Sequence, residues 1–382
     1  MKVKTIGSAV VVGFCAAVAV AMAASPAVAD PSPVTNYRLL AGTGSDTTQD
    51  VMNGLGAAVE GGTVVASWDA RPQPSTIKTK ATNCSFSRPN GSGAGRQSLR
   101  ASEGENLGGT HGGPGFYNGA NVVGCVDYAR SSSYGGGTNP SNTGTLTYIP
   151  FGVDAMALGI NVNGDLPRNI SFAQTQRVYR CFSTNITGIP VTPRMIQADS
   201  GTWQFWLQRM QLTEAEIALG DYPCLATGSP VTPVQPRVQE HDGTVLNGNV
   251  NQVVPFSAGQ FIAQSRTGTI QTATGVTVTD RRGEVYLAGL SAAEQPFNRT
   301  TLQVNTNFTL RRDVYNVVPT ADLTNTTIQG TFIGATSDVC TATVTSGGNT
   351  FNVVELFGFG RRTTQVSPLD AACGYDQLRF NS

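Results

Sequence analysis

The residues before position 30 constrain everything after them. Lys2 and Lys4 give a basic start, IGSAVVVGFCAAVAVAMAA is apolar, and Ala27-Val28-Ala29 ahead of Asp30 has small-x-small spacing. This is the pattern of an export leader cleaved after Ala29. A membrane anchor is the alternative. The apolar run is short, rich in small residues and followed by Pro26, which favours the leader. Phe14 before Cys15 is too bulky for lipid attachment, so no lipid anchor is expected. The mature chain is expected in the periplasm or outside the cell.

Export decides how the cysteines are read. Without Cys15 there remain Cys84, Cys125, Cys181, Cys224, Cys340 and Cys373. An even number in an oxidising compartment implies three disulfides. Sequential pairing is expected, because each consecutive pair brackets a long Gly/Asn-rich loop whose closure limits the entropy of the unfolded chain. A metal site is disfavoured. The spacings are long, and neither Cys-x-x-Cys nor clustered histidine accompanies them.

Removing Lys2 and Lys4 takes the basic count from 25 to 23 against 25 acidic residues, a net charge of −2. Charged residues are 13 % of the chain, with Lys78 and Lys80 the remaining lysines. No basic patch interleaved with aromatics is present, so nucleic acid is not an expected partner. The 382 residues less 29 leave 353, which exceeds what one core usually serves, so two domains are expected.

Strands and helices alternate through the first two thirds, which gives an α/β expectation. YRLLAG reads as a strand, and TTQDVMNGLGAAV as a helix with Val51, Leu55, Ala58 and Val59 on one face. Residues 84–144 read as Gly/Ser/Asn-rich loops punctuated by one strand, NVVGCVDYAR. TLTYIPFGVDAMALGIN reads as one or two buried strands. SFAQTQRVYRCF reads as a helix with Ser171 at its N-cap. SGTWQFWLQRM and TEAEIALG read as helices, and VVPFSAGQFIAQSRTG as a strand then a helix opening near Ser257. GEVYLAGL, DVYNVVPT and GNTFNVVELFGF read as strands.

Three helix starts carry the binding chemistry: Gly44–Thr48, Gly91–Gly95 and Ser200–Thr202. A helix N-terminus leaves unpaired N–H groups and partial positive charge. Glycine allows close backbone approach, and Ser/Thr hydroxyls add donors. Such starts hold an anion with few formal charges.

In that order, AGTGSDTTQDV, RPNGSGAG, VDYARSSS and ADSGTWQFW resemble the periplasmic phosphate-binding proteins (PstS-like, type II solute-binding fold). YIPFGVDAMALGIN, VVPFSAGQFIAQ and RRDVYNVVPT extend the resemblance over nearly the whole mature chain. It implies two α/β lobes joined by two crossovers, with a cleft between: lobe I from 30–148 plus 316–382, lobe II from 149–315. It implies that Ser92, Ser200, Gly201 and Thr202 donate to phosphate oxygens. It also implies that Asp127 accepts from the protonated phosphate oxygen, which would reject sulfate. Ser45, Asp46, Thr47, Gly93, Ser131 and Gln197 complete the expected ligand-binding set. Two positions depart from the pattern. Ile196 stands where an arginine is usual, four residues before Ser200. Asp46 stands where the first loop often has threonine; it either caps its own helix or repels an anion.

The implied function is an exported solute-binding protein for a small oxyanion, inorganic phosphate first, acting as a monomer without cofactor and serving an ABC permease. A secreted protein of the same fold with another polar ligand or none is the alternative. A secreted phosphatase-like hydrolase is the lesser one. His111 and His241 both read as exposed loop residues, the carboxylate pairs Glu103/Glu105 and Glu214/Glu216 as surface, and no nucleophile elbow or His-Glu-x-x-His motif occurs. No enzyme is therefore expected.

Overall fold

The computed structural model describes residues 30–31, 35–71, 75–225 and 236–382. The leader, its cleavage point after Ala29 and Cys15 lie outside the described residues.

A single mixed sheet runs through both halves of the molecule. Its first half alternates strand and helix: β1 (Leu40–Gly44), α1 (Gln49–Ala58), β2 (Val65–Ser67), α2 (Ser92–Ser102) and β3 (Tyr128–Ser131). Here β1 lies parallel to both β2 and β3. Next come β4 (Leu146–Asn161), α3 (Phe172–Tyr179), β5 (Thr192–Pro193), α4 (Gly201–Met210) and α5 (Glu214–Leu219). The chain continues through β6 (Gln252–Ser257), α6 (Ala258–Ser265), β7 (Val285–Leu287), β8 (Arg311–Pro319) and β9 (Arg379–Phe380). The strand order is β5-β6-β4-β8-β3-β1-β2, with β7 and β9 also paired to β4.

Strand β4 is one element of 16 residues, buried along its whole length. That accounts for its near-continuous apolar sequence, since a strand covered on both faces has no solvent side to mark. It runs antiparallel to β8 from Leu146↔Pro319 to Ala155↔Arg311, with a register slip between Val314 and Tyr315. These two strands join two groups of cores. Ala155–Ile160 of β4 and Leu310 beside β8 pack with Trp203, Trp206 and Phe256. Ile149 and Phe151 of β4 and Val314 of β8 pack with Val51 and Leu55, while Tyr148 and Tyr315 pack with Ala41 and Leu99. The result is a two-lobed α/β fold with β4 and β8 as crossovers.

Local signals account for most helix boundaries. Ser171 caps α3 in a reciprocal box with Gln174. Ser257 accepts from Gln260 N and starts α6. Two expectations change. Residues 84–144 hold a helix of 11 residues, α2, whose Gly and Ser content reads as loop but whose Ser98, Leu99 and Ala101 are buried. GNTFNVVELFGF is a strand only over Asn349–Asn352. The Asn352 side chain then accepts from Val354 N and Glu355 N and turns the chain into a helical turn, Val353–Leu356.

The disulfides are Cys84–Cys125, Cys181–Cys224 and Cys340–Cys373, with Cα separations of 5.3, 5.6 and 5.9 Å. All lie within the usual bridging range. Among the described residues no helix is long and apolar enough to cross a membrane.

Candidate functional site

The C-terminal ends of β1 and β3 and the starts of α2 and α4 meet at one point. Gly91 before α2 has φ +114°, and a Cβ there would lie 2.4 Å from Asp199 O. Only glycine fits. The Gly93 N–H then donates to Asp199 O at 2.9 Å, tying the start of α2 to the loop that opens α4. Gly201 completes the approach, since a Cβ on it would sit 2.2 Å from Ser92 Oγ and 2.5 Å from Ser132 Oγ. Ser200 caps α4 by accepting from Trp203 N at 3.1 Å.

Hydroxyls line the junction. Ser132 Oγ lies 3.1, 3.2 and 3.3 Å from Ser45 Oγ, Thr47 Oγ1 and Ser92 Oγ, and Ser132 N donates to Ser92 Oγ at 2.9 Å. Thr47 Oγ1 is the hub, 3.2 Å from Thr202 Oγ1 across the cleft and 2.8 Å from His241 Nε2. The first loop is held from beneath by Arg130, fully buried, whose guanidinium donates to the carbonyls of Gly44 at 3.1 Å, Ser45 at 3.2 Å and Trp68 at 2.7 Å.

Three charged or ionisable groups enter this cradle. Arg312 of β8 donates to Asp154 of β4 through Nε at 3.1 Å and Nη2 at 2.9 Å. The same Nη2 reaches Thr202 Oγ1 at 3.0 Å and Thr47 Oγ1 at 3.3 Å. His241 is fully buried with φ +57°. Its Nδ1 accepts from Ser257 N at 3.4 Å, so in the neutral ring the proton is on Nε2, facing Thr47. Glu240, also fully buried, accepts from Ser200 Oγ at 2.8 Å and Thr47 Oγ1 at 3.3 Å. Burial alone would push its pKa up; hydrogen bonds from His241, Thr202 and Ser200 and the charge of His241 outweigh burial and bring it to about 2.

The expected residues divide. Ser45, Thr47, Ser92, Ser200, Gly201 and Thr202 converge, and Gly93 serves the backbone link described above. Gln197 joins them indirectly: its Oε1 accepts from Glu240 N at 2.7 Å and its Nε2 donates to Glu240 Oε1 at 3.3 Å. Ser131 points away, accepting from Arg96 Nη1 at 3.0 Å and donating to Ser133 O at 2.6 Å. Its neighbour Ser132, the first residue past the strand, faces the cradle. Asp46 neither caps α1 nor enters the cradle; Arg281 donates to it at 3.1 Å and Gln239 Nε2 at 3.1 Å. Asp127 is not in the cradle. It precedes β3 at the far end of that strand, accepts from Ala41 N at 2.7 Å and pairs with Lys80.

Six participants were not in the expected set: Arg130, Ser132, Asp154, Glu240, His241 and Arg312. Ile196 is buried in the core, and the cradle's guanidinium comes from the second crossover. His241 is no exposed turn residue. A carboxylate and an imidazole in succession were the available signal, but nothing local in VQEHDG shows that it docks inward. A cavity of about 420 Å³ lies beside the cradle, between α4 and β8, with Phe205, Arg209, Tyr315 and Arg312 on its walls.

No protein-family model matches the chain, and no curated protein matches it. Among solved structures it is similar to an ABC-type phosphate transport receptor from Vibrio cholerae, at 17 % identity over 74 % of this chain and 87 % of that one, TM-score 0.39. It is similar to PstS from Borrelia burgdorferi at 12 % identity over 85 % and 98 %, TM-score 0.38. A phosphate-binding protein from Stenotrophomonas maltophilia is similar at 12 % over 84 % and 89 %, TM-score 0.38.

Proposed function

We propose that the chain is an exported, non-enzymatic solute-binding protein for a small oxyanion, inorganic phosphate first, held between lobes I (30–148 plus 316–382) and II (149–315). The observation that carries this reading is Glu240. The His241 imidazole and hydroxyls from both lobes, Thr47 and the Ser200 and Thr202 pair at the start of α4, converge on an oxyanion, the protein's own carboxylate, and favour its charged form against burial. Chemistry that keeps a buried carboxylate ionised suits a phosphate of similar charge and acceptor pattern. The change of core at Asp154 and Arg312 supports a hinge there, with closure bringing Thr47 to Thr202. Export and delivery to an ABC permease belong to the same proposal.

Titration calorimetry of mature protein, freed of bound solute by partial unfolding and dialysis, tests it against phosphate and then sulfate. Saturable heat with phosphate supports the reading. Silence toward both favours the second reading, a secreted protein of this fold whose cradle is permanently filled by Glu240.

A further inference from the structure

We propose that Glu240 is a tethered surrogate ligand, and that a solute anion binds by displacing its carboxylate from the cradle. This rests on the oxyanion reading above and concerns how that site is regulated.

The anchoring of the segment makes displacement of the side chain alone feasible. Val238 N donates to Met195 O and Gln197 N to Val238 O, both at 2.8 Å. Arg237 Nη1 donates to Ile196 O at 2.9 Å and pairs with Glu214. The Val238 backbone and the Arg237 side chain therefore tie this segment to lobe II by bonds that do not involve the Glu240 carboxylate. The flanking side chains cross to lobe I: Gln239 Nε2 to Asn90 Oδ1 at 3.2 Å and Asp46 Oδ2 at 3.1 Å, and Arg71 to Asp242 at 3.4 Å. Parting the lobes breaks these crossing contacts and loosens the hold on Glu240 from the Thr47 side.

The surrogate also fits incompletely. Its two oxygens reach Ser200, Thr47 and Gln197, and one lies 3.4 Å from His241 Nε2, but Arg312, whose Nη2 serves the cradle, keeps a buried Nη1 without a hydrogen-bond partner. A buried donor left unmet is costly. A tetrahedral oxyanion, with four oxygens against two, would take up the Thr47, Ser200 and Thr202 hydroxyls and the Arg312 guanidinium together, which a carboxylate on this tether does not. The carboxylate thus keeps the cradle formed when solute is scarce and yields to a better-fitting anion.

A tethered competitor lowers the apparent affinity of the free ligand by the fraction of time it vacates the site. Phosphate titration of wild type, Glu240→Gln and Glu240→Ala tests this, with circular dichroism and thermal unfolding to establish folding. The expected result is phosphate binding about tenfold or more tighter in the variants, together with a lower melting temperature without phosphate and a larger rise when it is added. Folded variants that bind phosphate no more tightly than wild type overturn the surrogate and leave the oxyanion reading standing. Silence of wild type and folded variants toward phosphate and sulfate overturns both. If Glu240→Ala does not fold, Glu240→Gln, which keeps the shape and one acceptor, decides the matter.

Discussion

Arg312 and Asp154 are register partners on the two crossover strands, and their side chains form a buried ion pair at 2.9 Å where the cores change over. The pair orients the guanidinium whose Nη2 touches Thr47 of one lobe and Thr202 of the other. Arg312→Gln leaves Asp154 buried and unpaired, so it should cost roughly 3–5 kcal/mol in urea unfolding. Arg312→Lys keeps the charge but not the planar fork, and should retain most stability while weakening phosphate binding about tenfold or more. A lysine variant that binds as wild type would remove Arg312 from the site.

Asp127→Asn tests the correction at β3. Asp127 faces Lys80 and the Ala41 N–H, away from the hydroxyl cluster, so selection between phosphate and sulfate should be unchanged. The Lys80 pair is partly exposed, with side chains 26 % and 29 % accessible, so its loss should cost under about 1 kcal/mol. Competition calorimetry reads the first outcome, denaturant unfolding the second.

Gly201→Ala places a methyl 2.2 Å from Ser92 Oγ. Ser92 cannot swing away without losing its bond from Ser132 N, so the start of α4 must retreat from α2. Overpacking of this kind costs about 1–3 kcal/mol. The cost should fall on the closed form, as weaker anion binding and a larger solution radius of gyration by X-ray scattering. Unchanged affinity and radius would show that the two helix starts tolerate separation.

The parts of this arrangement legible in the sequence are those encoded locally. Ser171, Ser200 and Ser257 are caps, and a cap announces its helix within a few residues. The glycines at 91 and 201 mark close approach, and β4 shows its double burial in a near-continuous apolar run. Asp127 is misplaced because strand β3 begins after it, so a boundary error of a few residues moves its side chain to the other end of the strand; Ser131 lies at the right end but turns its hydroxyl to Arg96 and Ser133. Arg312 and Glu240 were missed for another reason. Arg312 reaches Thr47 across 265 positions and Glu240 reaches it across 193, and neither contact leaves a periodicity or spacing that could be read. Buried polar networks built from distant segments are set by tertiary packing, and this cradle is one.

The disulfides close segments of 41, 43 and 33 residues. Replacing Cys340 and Cys373 by alanine should lower stability by roughly 2–4 kcal/mol through the freed unfolded chain, with phosphate affinity little changed because the pair lies in the core behind α1. Urea unfolding of the double variant measures the first, calorimetry the second. Loss of binding without loss of stability would mean that this bridge shapes the cleft itself.

Glu240 also makes a pH prediction of definite sign. Its folded-state pKa of about 2 lies below the 4.5 of a free glutamate. The stability it contributes is therefore present above pH 4.5 and lost as pH falls toward 2. Asp50 and Asp313 act oppositely. Burial is the largest influence on each and raises both to about 6, against Arg281 near Asp50 and Arg362 beside Asp313. Their contribution is present below pH 3.8 and lost as pH rises through 6. Wild type should accordingly lose stability on both sides of a mildly acidic optimum. Glu240→Gln should remove much of the acid limb between pH 4.5 and 2 and leave the limb around pH 6 in place. Asp50→Asn keeps an acceptor for Gln260 and should raise the urea midpoint more at pH 8 than at pH 5. An acid limb of equal depth in wild type and Glu240→Gln would show that the cradle does not hold Glu240 as an anion.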